Sequence, residues 1–319
     1  MGASGVASPM ILQPQRTWQS QRWKFVFTAA FIGAANLYIR YIDPEALHDT
    51  DSERTLSTWG YLAAGLLVGF GTKLGNGCTS GHGICGMARL SRRSFAAVAT
   101  FMAVAMATAI LLSQEAVKSR TFFLYSDSLP PMRDETTALL FAVIPTLLAL
   151  YSLRKPSEKT VGAAISGALF AVGLAISKMV LPSKVMGFLD LSAILIGTYD
   201  PSLATVMVAG VVVSFLSYQY KNRKLTKPIM VENFNVPTNT VIDSSLLLGA
   251  ACFGVGWGLG GICPGPALFW AAAGMPPLVY YWLPAFYAGA YLATQYQDYV
   301  VAITTHTPAN KRASFFFLF

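Results

Sequence analysis

The sequence predicts an all-α, polytopic membrane protein of about eight crossings, with broken or re-entrant helices and internal pseudo-symmetric repeats. Three observations carry that prediction. The chain is 54% hydrophobic and only 12% charged, about half the charge of a typical soluble domain. Its apolar residues fall in blocks long enough to approach the roughly 20 residues a spanning helix needs. Finally, 27 glycines lie scattered through these blocks, which suits close helix contact in lipid.

In chain order, unbroken spans are expected at 24–40, 94–113, 137–153, 161–180, 201–219 and 276–298. Two further segments, 60–90 and 243–275, are apolar but interrupted by glycine and proline, and each is counted as one net crossing. No stretch alternates as a barrel strand would. Residues 1–22 read as a polar N-terminal tail without the apolar core of a secretory signal. Residues 23–155 form a first membrane half, 156–300 a second, and 301–319 a C-terminal tail. The aromatic end, Ser314 to Phe319, suits the membrane interface or a disordered terminus. The polar stretch 221–240, with Pro228 and Pro237, reads as a linker.

The formal net charge of +8 does not point to nucleic acid, because the basic residues sit at the ends of apolar blocks rather than along one face. Fifteen Lys and Arg, including Arg16, Arg22, Lys24, Arg89, Arg92 and Arg93, fall in one set of loops. Seven fall in the other: Arg40, Arg54, Lys118, Arg120, Arg133, Lys178 and Lys184. The positive-inside rule then places both termini in the cytoplasm, with the plasma membrane the expected location.

Three glycine-spaced apolar runs, 65–73, 167–175 and 249–257, each lead into a turn. Repeated broken helices are a sequence pointer to a transport site near the bilayer midplane; one such run alone would mean only helix packing.

The segment Gly75-Asn-Gly-Cys-Thr-Ser-Gly-His-Gly-Ile-Cys-Gly86 holds five glycines in twelve residues, too many for a stable helix interior. It is expected to unwind, with a helix restarting between Ile84 and Leu90. Unwound backbone at membrane depth is tolerated only inside protein or beside a wet cavity, and a restarting helix turns its positive end toward an anion. Around that turn Gly77, Gly81 and Gly83 free the backbone, Thr79, Ser80 and His82 supply donors, and Cys78 adds a polarizable thiol. Lys73, just before the turn, would attract an anion. The segment Gly256 to Pro266 repeats the logic with Cys263 at the turn, Pro264 and Pro266 suited to a new helix start, and Gly265 between them.

Other readings of these residues remain open. Cys78, His82, Cys85 and Cys263 could hold a metal, although Cys-x6-Cys matches no common finger spacing. A Cys–His nucleophile is conceivable, but no orienting carboxylate stands nearby in sequence. His82 could simply bond the turn and Cys85 could pack behind it, while Cys252 reads as a small buried hydrophobe. Lys178 could snorkel, and Asp200 before Pro201 reads as a helix cap. No Gly-x4-Gly-Lys-Ser/Thr appears, so ATP coupling within the chain is not expected. No metal or cofactor is expected.

The Gly-Cys-Thr-Ser-Gly-His-Gly core within Gly75 to Leu90 resembles the signature of the YeeE/YedE sulfur-transport family. Residues 249–268 resemble a second element of that family, and Lys184-Val-Met-Gly-Phe-Leu-Asp190 with Asp200-Pro-Ser-Leu203 a third. The likeness covers most of 55–295 and suggests a fused, full-length form. It departs at Ser177-Lys178-Met179, where many relatives carry a small residue before the methionine.

The resemblance implies a helical, pseudo-symmetric transporter, not an enzyme, that moves thiosulfate or a related sulfur anion into the cell. It implies that cysteines contact the passing sulfur, a role carried onto Cys78 and Cys263 and less directly onto Cys85. Entry is expected from the side bearing Arg40, Arg54 and Lys184, with a cytoplasmic sulfur acceptor protein as a possible partner. The rival readings are a membrane sulfurtransferase working through a cysteine persulfide and a non-transporting membrane subunit.

Overall fold

The computed structural model describes residues 2–49, 55–114, 124–126, 134–153, 158–228, 234 and 236–306. Arg54, Lys118, Arg120, Arg133 and the aromatic end 314–319 lie outside these residues.

The chain is all-α and polytopic. Two short helices, α1 (Ala3–Leu12) and α2 (Pro14–Ser20), precede α3 (Trp23–Leu37), which a π turn extends through Tyr38–Ile42. Then come α4 (Thr58–Leu74), the π-wound α5 (Thr79–Gly86), α6 (Arg92–Ser113), α7 (Glu135–Leu153) and α8 (Glu158–Ile176). The short α9 (Pro182–Leu189) and α10 (Ala193–Ile196) lead to α11 (Ser202–Lys224). The series ends with α12 (Ser244–Gly260), α13 (Pro264–Ala272) and, after a π turn, α14 (Leu283–His306). A two-residue antiparallel ladder pairs Thr55–Leu56 with Tyr125–Ser126.

Side-chain caps set several helix starts. Ser57 accepts from the Gly60 amide, Ser91 from Ser94 and Asp243 from Leu246, each satisfying an amide that has no partner within the helix.

Every segment expected to cross contains a helix. By length and hydropathy four helices qualify as spans among the described residues, and α12 with α13, bent by 44°, makes a fifth. The glycine turn cuts α4 to 17 residues, and Thr294, Gln295, Gln297 and Asp298 lower the hydropathy of α14.

Helix packing follows the glycines. The α4 helix lies between α12 and α14, α6 packs on α12, and α3 packs on α7 and α8. A methyl group at Gly69 would stand 1.9 Å from the Phe286 carbonyl oxygen, and one at Gly249 2.2 Å from the Gly75 amide nitrogen. In lipid, where apolar burial gives helices no reason to associate, such backbone proximity supplies the dispersion contacts that hold them. The three glycine-spaced runs become three long helices, and each leads through a turn into a short one: α4 to α5, α8 to α9, α12 to α13.

Three details add to these expectations. Residues 3–20 hold the helices α1 and α2. Helix α1 buries Ala3, Ser4, Val6, Ala7 and Ser8, because residues this small can enter between α4, α13 and α14. Residues 23–155 and 156–300 pack across one another, α3 on α8 and α4 on α12. The linker starts late as well, because α11 continues to Lys224.

Candidate functional site

Both cysteine turns are built alike. After α4, Asn76 takes a left-handed φ of 60°, and Cys78 is extended (φ −128°, ψ −169°) at the N-cap of α5. After α12, Gly261 is left-handed at φ 66°, and Cys263 is extended (φ −110°, ψ 169°) at the N-cap of α13 with Pro264 following. Each thiol therefore sits at the amide-rich, positive start of a helix.

The first helix restarts at Thr79, not between Ile84 and Leu90 as expected from glycine density. Backbone groups in lipid must find partners, and π winding pairs them through the glycine-rich stretch, with the Met87 amide donating to the His82 carbonyl. Only residues 75–78 stand outside helix.

The two turns meet. The Thr79 hydroxyl donates to Cys263 Sγ at 3.8 Å, and Cys78 Sγ lies 3.3 Å from Ser80 Oγ. Both cysteines are buried, at 1% and 7% exposure, so this conformation is closed at the thiols.

His82 braces the first turn with both ring nitrogens, Nδ1 at 3.1 Å from Ser94 Oγ and Nε2 at 3.0 Å from the Gly75 carbonyl. Gly77 leaves room for the ring, since a methyl there would come within 2.5 Å of it. Gly83 meets Met207 of α11, and Gly265 lies in the core beside Leu174 and Phe170. Cys252 is half-buried on α12. Among the described residues no group of three or more His, Cys, Asp or Glu could hold a metal ion.

Helix α1 covers the first turn. The Ala3 amide donates to Ser80 Oγ at 3.2 Å, and a methyl at Gly2 would lie 2.7 Å from the Gly81 nitrogen and 2.9 Å from Cys78 Sγ. Beside this contact opens a chamber of about 470 Å³ that Lys73, Gly77, Gly81, His82 and Cys85 help to line, while neither Cys78 nor Cys263 reaches it.

On the expected entry side, Arg40 pairs with Glu135, and Lys184 with Asp200 at 3.1 Å. The Asp200 carboxyl is held below the usual carboxylate range by the Ser202 hydroxyl and amide, with Lys184 adding to the effect.

Sequence reasoning missed four residues. Ser94 orients His82, but nothing local marks a serine inside an apolar span as a histidine partner. Gly2 and Ala3 abut the cysteine turn from a segment read as tail. Lys24, counted only for topology, is 2% exposed; a lone lysine within Trp23-Lys-Phe-Val-Phe was the available signal, since ionisable groups inside spans are functional candidates.

A family model described as sulphur transport matches residues 45–107, which contain the Cys78 turn. A second, described as a family of unknown function (DUF6691), matches 159–297, which contain the Cys263 turn. A probable transporter of Xylella fastidiosa strain 9a5c is 39% identical over 114 residues, 36% of this chain and 75% of that protein. The chain belongs to the YeeE/YedE sulfur-transport family. A probable transporter of strain Temecula1 is 39% identical over 110 residues, 34% of this chain and 72% of its own length. Another from that strain is 56% identical over 57 residues, 18% of this chain and 42% of its own. Family and architecture together make this YeeE/YedE member a multi-pass membrane transport protein.

Proposed function

We propose that the chain carries thiosulfate, or a closely related small sulfur-containing anion, into the cell through a path that runs between Cys78 and Cys263. The observation that carries this reading is the contact of two helix starts, each with a cysteine at its N-cap, through Thr79 and Cys263. Opposed positive helix ends lower the cost of stripping water from an anion. Two thiols offer its terminal sulfur weak S–H···S contacts, and weak contacts let it leave again.

The anion enters past Arg40 and Lys184, which pair with Glu135 and Asp200. It passes the thiols when α1 and the turns part, and it leaves toward the cytoplasm, where an acceptor protein takes the sulfur. The noncovalent form fits thiols this deeply buried, because burial disfavours the thiolate that a persulfide relay requires.

Proteoliposomes containing the purified chain should accumulate radiolabelled thiosulfate. Unlabelled thiosulfate should compete strongly, and sulfate, which lacks the terminal sulfur, weakly. Equal competition by sulfate would refute the role of the thiols, and sulfur transfer without net uptake would favour the sulfurtransferase reading.

A further inference from the structure

The chamber beside the first cysteine turn carries cations that neither turn uses. Arg16, Lys24, Lys73, Arg89 and Arg93 line it, and among the described residues its lining includes no carboxylate. Of the five, Arg93 pairs with Asp243 at 3.3 Å. The Arg89 guanidinium reaches only carbonyl oxygens, those of Cys85 at 3.1 Å and Pro237 at 3.0 Å.

Lys24 is the informative one. Its side chain is buried at 2% exposure, inside the span Trp23–Ile42. The ammonium has three donors, yet it gives one hydrogen bond, to the Gly5 carbonyl at 2.8 Å, and otherwise faces the Trp23 ring at 5.8 Å. A buried charge without a counter-charge is strongly unfavourable, and a bound anion would relieve it. Lys73 enters from α4, half-buried, and its ammonium adds a second positive charge. Serine and threonine hydroxyls at Ser4, Ser8, Thr17 and Thr72 also line the space. Its volume, about 470 Å³, falls within the roughly 300–1,000 Å³ usual for small-molecule sites.

We propose that this chamber is a second anion station, in which the Lys24 and Lys73 ammonium groups hold a small divalent oxyanion beside the first cysteine turn. The identity of that anion as the transported sulfur species rests on the transport reading above; the existence of the station does not. The station differs from the thiol contact in chemistry: it recognises charge and oxygen, so sulfate and thiosulfate bind it alike, whereas the thiols select for terminal sulfur. The ligand is a free anion rather than a lipid phosphate, because the chamber is walled by α1 and the loop at Pro237 and Asn239 as well as by spanning helices.

The test is equilibrium binding of sodium thiosulfate and sodium sulfate to the full-length protein in zwitterionic nanodiscs, measured by calorimetry. Wild type and Cys252→Ala, a change outside the chamber lining, should bind both anions at the station with similar affinity. Lys24→Met and Lys73→Met should each weaken binding about tenfold or more, the loss of one charge-assisted hydrogen bond. Lys73→Met, from a half-buried position, keeps the test decisive if Lys24→Met fails to fold.

Three outcomes overturn the station: no oxyanion binding by wild type, unchanged affinity in folded Lys73→Met, or Lys24-dependent binding of short-chain phosphatidylglycerol with none of the inorganic anions. Binding without uptake in liposomes would instead sink the transport reading and leave the station standing. Uptake without lysine-dependent binding would do the reverse.

Discussion

The two cysteine turns share a backbone plan and differ in their surroundings. Cys78 opens a glycine-rich π-helix that borders a basic chamber and is covered by α1. Cys263 opens an α-helix started by proline, every residue of which is buried. Phe269 of that helix packs edge-on against Phe31, and the Trp270 indole bonds the Val180 carbonyl. The first turn is thus bordered by glycines, a short helix and a cavity. The second is clamped by close-packed aromatics, whose interdigitation resists displacement. If the proposed path runs between them, the first turn is the wall placed to move and the second the wall held fixed.

The largest effect should come from breaking what both turns share. Gly249→Val places side-chain atoms against the Gly75 backbone, and backbone cannot yield as a side chain does. A destabilisation of about 3 kcal/mol or more is expected, read as loss of monodisperse protein and a collapsed thermal midpoint. Cys252→Ala on the same helix should leave both readouts near wild type.

The next experiment separates the turns by access. Deleting residues 2–12 removes the cover over Ser80 and Gly81. Cys78 should then react with a maleimide in the folded protein while Cys263 stays unreactive. Equal labelling of both would erase the distinction between a movable and a fixed wall.

The junction after α8 is the cysteine-free control. Lys178 sits there with φ 52°, a left-handed conformation that a β-carbon disfavours and glycine adopts freely. This accounts for the small residue that the resemblance leads one to expect at this place. Lys178→Gly should stabilise the protein by about 0.5–1 kcal/mol in thermal unfolding, without altering thiol reactivity.

The smallest effect is a pH dependence at the same junction. The Asp200 carboxyl is depressed below its ordinary 3.8 by Ser202 first and by Lys184. Its contribution is therefore complete above the unfolded value near 4 and fades as pH falls below it. The group is partly exposed, 26% for its side chain, so solvent screening limits the effect to under about 1 kcal/mol. Asp200→Asn should flatten that part of the acid limb.

The fold class was legible because lipid imposes one rule, that apolar blocks must be helical. The cysteine turns were legible because glycine density and proline placement are local signals. What was not legible depends on distant partners. Thr79 meets Cys263 across 184 positions, and Ala3 meets Ser80 across 77. The restart at Thr79 escaped because glycine's low helix propensity, decisive in water, yields in a membrane protein to the need to pair every amide. The small residues of 2–8 looked like a tail because their composition does not say whether a groove awaits them.

The central claim is that the two helix starts bound one passage, and a cross-link between them tests it most directly. In a Cys78→Ser background, Thr79→Cys should form a disulfide with Cys263 on mild oxidation in proteoliposomes. Thiosulfate uptake should fall beyond the Cys78→Ser baseline and return to it with dithiothreitol. A disulfide that forms and leaves uptake unchanged, or no disulfide at all, would contradict the account.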